Sequence, residues 1–178
     1  MATRDPYQDL PKLPEFTVTS EGFVSGAPFA PAQYSGRMGV PGGKDESPQL
    51  SWSGFPEGTR SFAITMYDPD APTAGGYWHW AAFNIPASVT SLPEGAANDG
   101  GMAEGSIQLA NDSGFAGFVG AAPPAGHGLH HYHVAVHAVD LEELDVAPDA
   151  SPAALGFALF THALGRARII GTAEIPED

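Results

Sequence analysis

The stretch Ser61-Phe62-Ala63-Ile64-Thr65-Met66-Tyr67, followed after a break containing Gly and Pro by Trp78-His79-Trp80-Ala81-Ala82-Phe83-Asn84-Ile85, decides the fold class. In the first run Phe62, Ile64 and Met66 alternate with Ala63, Thr65 and Tyr67, the period of two that marks a strand. Both of its faces are apolar, which predicts a central strand. In the second run Trp78, Trp80, Ala82 and Asn84 fall on one side and His79, Ala81, Phe83 and Ile85 on the other. A strand followed directly by a strand predicts an antiparallel β protein.

Towards the N-terminus, Gln49–Trp52 reads as another short strand, Phe16–Val24 is mixed, and Gly and Pro break residues 26–47 into long loops. Residues 1–14 carry Pro6, Pro11 and Pro14 and read as an extended surface arm. Towards the C-terminus, residues 86–126 are rich in Gly, Ala, Asn and Asp and read as a functional loop region. Leu129–Val139 alternates again, and Leu141–Leu144 could add one helical turn. The convincing helix has Ser151 as N-cap and Pro152 at its first position, runs to about Leu164 and stops at Gly165. Ala167–Ile175 reads as a last strand. No internal repeat is visible, and residues 1–178 are expected to form a single domain.

Composition narrows the function classes. Hydrophobic residues make up 43% and charged residues 16%, which suits a chain that buries a core. The formal net charge of -14 repels the phosphate backbone of nucleic acid and disfavours anionic membrane surfaces, so neither nucleic-acid binding nor stable membrane anchoring is expected. With no cysteine there is no disulfide frame, no zinc-thiolate site and no cysteine nucleophile. Asp5 and Asp9 interrupt any signal-peptide core, which leads to the expectation of a cytoplasmic protein.

Three segments could carry chemistry. Asp68-Pro69-Asp70-Ala71-Pro72 follows the first strand directly, so it is either a Pro-stiffened turn or a pair of carboxylates where the chain leaves the sheet. His79 stands between Trp78 and Trp80, either as a core histidine or as an imidazole in an aromatic-walled pocket. Pro123-Pro124-Ala125-Gly126-His127-Gly128-Leu129-His130-His131-Tyr132-His133 is the richest segment. On a strand His130 and Tyr132 share a face with Val134, Val136 and Ala138, while His131, His133 and His137 lie opposite, solvent-facing or partly buried. That trio tempts a metal reading, but a strand spreads it too widely for one ion, so no metal and no other cofactor is expected.

Taken together, Ser47-Pro48-Gln49-Leu50-Ser51-Trp52, Tyr67-Asp68-Pro69-Asp70-Ala71-Pro72, Trp78-His79-Trp80 with Phe83-Asn84-Ile85-Pro86, and the segment from Pro123 to Tyr132 resemble the phosphatidylethanolamine-binding protein family in its bacterial Raf kinase inhibitor-like branch. The order and spacing fit from about residue 15 to residue 175, with Ile169-Ile170-Gly171-Thr172 included. The resemblance implies an all-β dominated β-sandwich with a large antiparallel sheet, long loops and one or two short helices near the C-terminus. It also implies a small cavity for phosphate-like anions and phospholipid head groups. Its residues map onto Asp68, Asp70, His79, His130 and Tyr132, with Pro72 and Trp78 shaping the wall and the backbone N–H near Ala122 as a donor. Relatives commonly carry Arg where this chain has His131, and often a basic residue where it has Ala125.

The expected function is therefore a non-catalytic binding protein for a small phosphate-containing ligand or phospholipid head group, a modulator or inhibitor of a protein target, and a homodimer. A hydrolase of a phosphoryl or acyl substrate using His79, His130 and Asp70 is the alternative, although no Gly-x-Ser-x-Gly elbow occurs.

Overall fold

A computed structural model describes residues 4–178. A small antiparallel sheet is built from β1 (Thr17–Thr19), β2 (Leu50–Ser53) and, after two longer strands, β5 (Ser91–Leu92), in the order β1-β2-β5. The large sheet contains β3 (Ser61–Asp68), β4 (Tyr77–Pro86), β6 (Ile107–Gln108), β7 (His130–Val139) and β8 (Ala163–Ala173). Its order is β6-β4-β3-β7-β8 and every pairing is antiparallel. The chain thus forms the expected two-sheet β architecture, with one α-helix, α1 (Pro152–His162), just before the last strand.

The all-apolar character of β3 has its explanation in position, because it is the middle strand and every residue in it is buried. On the inner face Phe62, Ile64, Met66, Trp80, Val134 and Val136 pack with Val18, Leu50, Trp52 and Leu92 of the small sheet. On the outer face Ala63, Ala81, Phe83 and Val139 pack against Leu155 and Leu159 of α1. Each fully buried Leu or Phe contributes about 1.5–3 kcal/mol, so the large sheet is held from both sides.

Ser151 caps α1 as expected, its hydroxyl accepting from the Ala154 N–H at 3.2 Å. Gly165 does not stop the helix. The chain passes from His162 straight into β8, and Gly165 lies inside that strand, where a Cβ would come within 2.9 Å of Pro56 and 3.0 Å of the Pro14 carbonyl. Leu141–Leu144 forms bends and no helical turn. The expected arm falls partly on residues 1–3, which lie outside the described residues; residues 6–9 form a turn that lays Tyr7 on the outer face of the large sheet.

Two histidines expected to be solvent-facing or partly buried are deeply enclosed. His133 is 3% exposed and His137 is 2% exposed. His137 is covered by Tyr7, whose ring lies 6.2 Å from its own and whose hydroxyl meets Thr65 Oγ1, itself 2.9 Å from His137 Nε2, while His133 lies beside Asp5 and Arg168.

Candidate functional site

Asp68 ends β3 and turns the chain. Its Oδ1 accepts the N–H groups of Asp70 (2.8 Å) and Ala71 (3.1 Å), an Asx-type turn that fixes the Asp-Pro-Asp-Ala-Pro loop. The other oxygen, Oδ2, lies 2.7 Å from Nδ1 of His130, the first residue of β7. Both side chains are almost completely buried. A carboxylate can only accept, so the His130 proton sits on Nδ1 and its Nε2 faces His127 Nδ1 at 2.7 Å. The result is a continuous line from His127 through His130 to Asp68.

His79 reaches the same place through an irregularity in β4. Met66 pairs with Trp80 and Tyr67 with Trp78, so His79 is the extra residue of a bulge. A bulge breaks the alternation of side chains. His79 therefore joins Trp80 on the inner side, its ring 5.1 Å from that of Tyr132, while Trp78 is sent to the outer face, where it packs on Tyr67 at 4.6 Å. His79 Nδ1 is 2.8 Å from the Val119 carbonyl, and the Val119 N–H returns a bond to the His79 carbonyl at 3.0 Å. The carbonyl fixes the Nδ1–H tautomer and leaves Nε2 as the other ring position.

The loop that His79 grips is braced from distant parts of the chain. Asp45 Oδ1 accepts the Gly120 N–H at 2.8 Å, and the Asn98 side chain bonds both the N–H and the carbonyl of Phe118. Tyr132 is fixed from below by Phe29, with ring centroids 5.4 Å apart. Phe29 can lie there because residue 171, opposite Tyr132 on β8, is Gly; a Cβ would fall 2.2 Å from the ring.

These elements enclose a cavity of about 200 Å³. Six of the eight residues singled out from the sequence line it: Asp68, Pro72, His79, Ala122, His130 and Tyr132. Met38, Ala71, Thr73, Tyr77 and Pro124 complete the wall. The two others stand elsewhere. Trp78 is turned away by the bulge and lines a groove on the outer face. Asp70, past the end of β3, is held by His131, whose backbone N–H and Nδ1 both lie 2.8 Å from Asp70 Oδ2. Sequence reading missed His127, Met38, Asp45 and Asn98. The first was inside a quoted motif, whereas the others carry no local signal because long-range chain crossing brings them in.

Among the described residues no Lys or Arg lines the cavity. Burial pushes the His79 imidazole below its ordinary range, against the pull of the Val119 carbonyl and the Asp68 carboxyl, so it rests neutral near pH 7. Burial, and then Asp68, push the Tyr132 phenol upward, so it is a permanent O–H donor. Among the described residues no group accepts from the Ala122 N–H. Among the described residues that line the cavity, Thr73 alone carries an aliphatic hydroxyl, and it donates to the Gly76 carbonyl. The wall thus offers the Tyr132 O–H and the Ala122 N–H as donors, while the neutral His79 presents the lone pair of its Nε2.

Among the described residues no group of three or more His, Cys, Asp or Glu side chains is placed to hold a metal ion, and no helix is long and apolar enough to cross a membrane.

Comparison with known proteins bears on the fold and the family. The chain is 44% identical over 162 residues to the UPF0098 protein YbcL of Escherichia coli, covering 90% of this chain and 88% of that one. It is 45% identical over 128 residues to the UPF0098 protein YbhB of the same organism, covering 71% and 80%. The crystal structure of Escherichia coli YbcL, described as a new member of the mammalian PEBP family, superimposes with a TM-score of 0.85 at 43% identity, covering 90% of this chain and 98% of that one. The model of the family described as phosphatidylethanolamine-binding protein matches residues 19–174, and this chain belongs to that family.

Proposed function

We propose that this protein binds a small phosphate-bearing ligand, free or as a phospholipid head group, in the cavity of His79, His130 and Tyr132, without turning it over. The observation that supports it most is the convergence of a phenol, two imidazole systems and the Ala122 N–H on about 200 Å³ of space with no nucleophile activated by a base. A phosphate offers acceptors to the phenol and to the Ala122 N–H, and to an imidazole once that ring carries a second proton. Because no permanent cation lines the wall, the compensating charge is a proton. The imidazoles of His127 and His130 share one proton across 2.7 Å; a second proton taken up with the anion sets two N–H groups against each other, opens that contact and leaves both rings as donors. An ethanolamine head group brings its own ammonium, which Asp68 can attract.

Titration of O-phosphoethanolamine, read at the His79 and His130 imidazole resonances, tests this reading. Saturable shifts that vanish in His130→Ala support it, and unchanged binding in that variant removes His130 from the site. Asp68 behind His130 is also the arrangement of an oriented general base, so hydrolysis is the second reading. Release of phosphate from generic phosphoesters, abolished in His130→Ala, would establish it.

The wider role we assign is that of a cytoplasmic modulator or inhibitor of another protein, active as a homodimer. Phe157 and Phe160 of α1, 81% and 66% exposed, supply apolar surface for such an association. Sedimentation showing only an 18.5 kDa species would contradict the dimer.

A further inference from the structure

A second polar cavity lies on the opposite, outer face of the large sheet, under the N-terminal turn. It measures about 360 Å³ and is lined by Asp5, Glu15, Ser25, His133, Arg166 and Arg168. Strand register places Arg166 opposite His137, Arg168 opposite Ala135 and Ile170 opposite His133, so the cations of β8 and the imidazole of β7 share one face. None of these groups belongs to the cavity described above, and the inference does not rest on the function proposed for it.

Two features of this site are unexplained by the protein alone. His133 is 3% exposed, yet neither ring nitrogen has a hydrogen-bond partner. A buried polar group left unpaired is costly, and native structures pair nearly all of them. The guanidinium groups of Arg166 and Arg168 also crowd one aromatic ring, 4.5 Å and 5.2 Å from the Tyr7 centroid. Only Arg168 has a carboxylate, Asp5 at 2.7 Å. Arg166 gives its Nε–H to His137 Nδ1 and forms no ion pair among the described residues.

We propose that this cavity is a second oxyanion site that takes a phosphate group between Arg166, Arg168 and His133. The guanidinium forks match tetrahedral oxyanions in geometry and charge. Ser25 adds a donor, since its Oγ accepts the Ile170 N–H and keeps its own hydrogen free. Burial holds the His133 imidazole neutral, and a neutral ring gives one N–H to the anion. Asp5 opposes the anion least where it is already committed, to Arg168 and to the Tyr7 N–H at 2.9 Å. Glu15 is exposed and screened by water.

The test is a titration of the intact chain with inorganic phosphate at constant ionic strength, read at the His133 ring nitrogens by NMR, beside the same titration with sodium chloride. The expected result is a saturable His133 shift with phosphate only, retained in His130→Ala and weakened about tenfold or more in Arg166→Gln, where one charge-assisted contact is lost. Ser25→Ala, on the surface, should weaken it less. A glycerol phosphate arm separates the sources: tighter binding than inorganic phosphate points to an ester, equal binding to the free ion. Three results would overturn the proposal: an equal response to chloride, which means an adventitious ion only; loss of the response in His130→Ala; or wild-type affinity in both Arg166→Gln and Ser25→Ala.

Discussion

Asp68 Oδ2 and His130 Nδ1 lie 2.7 Å apart, joining the last residue of β3 to the first of β7 inside the protein. The same carboxyl group holds two backbone N–H groups of the following loop through its other oxygen. One side chain therefore orients the imidazole, shapes the cavity rim and closes the turn.

Asp68→Asn should separate these roles. The amide keeps one acceptor for the loop, but an N–H₂ facing His130 Nδ1–H puts donor against donor. Equilibrium urea unfolding should show a loss of about 1.5–3 kcal/mol, the range for a hydrogen bond to a charged group. Ligand affinity should fall with it, while a variant as stable as the parent would mean that His130 reorients at no cost.

Acid should destabilise the protein before carboxylates begin to protonate. Burial lowers the imidazoles of His79, His133 and His137 relative to an unfolded histidine, so below about pH 6.5 the unfolded chain binds more protons than the folded one. Stability is full above that value and is lost as pH falls, each group contributing at most about 1.4 kcal/mol per pH unit. Thermal melts between about pH 7.5 and pH 5 should show a falling midpoint, with a shallower slope in His137→Gln. A midpoint that rises toward acid would contradict the neutral state of these rings.

Gly171→Ala is expected to act on the site from the opposite side of Tyr132. The new Cβ meets the Phe29 ring, which packs on Tyr132, and overpacking of this kind costs about 1–3 kcal/mol. Chemical denaturation measures the cost, and a shift of the Tyr132 resonances would report the displacement. No loss of stability would mean that Phe29 has room to move.

The sequence reading succeeded where a side chain's role is set by its own strand. The alternation in Ser61–Tyr67 located β3 and its central place, and the i, i+2 spacing put His130 and Tyr132 on one face. It chose His79 for the site but put it and Trp78 on the wrong faces, because alternation assumes an unbroken pleat and the bulge shifts the register between Met66 and Tyr67. It failed again at His137, whose cover comes from Tyr7, at His133, which lies beside Asp5 and Arg168, and at Asp45 and Asn98, whose partners sit in a loop far along the chain. Asp70 looked equivalent to Asp68, yet one lies within the strand and the other beyond it, held by His131.

The central claim, that the inner cavity holds an anion by taking up a proton on its histidines, is tested most directly with sulfate. Sulfate stays fully ionised near neutrality, so any pH dependence belongs to the protein. Calorimetry at about pH 6 and about pH 8, each in two buffers of different ionisation enthalpy, reads affinity and proton uptake together. His79 and His130 resonances assign the signal to this cavity. The account predicts net proton uptake and tighter binding at the lower pH, both lost in His130→Ala. Binding at those resonances with no proton uptake and no change in affinity with pH would contradict it.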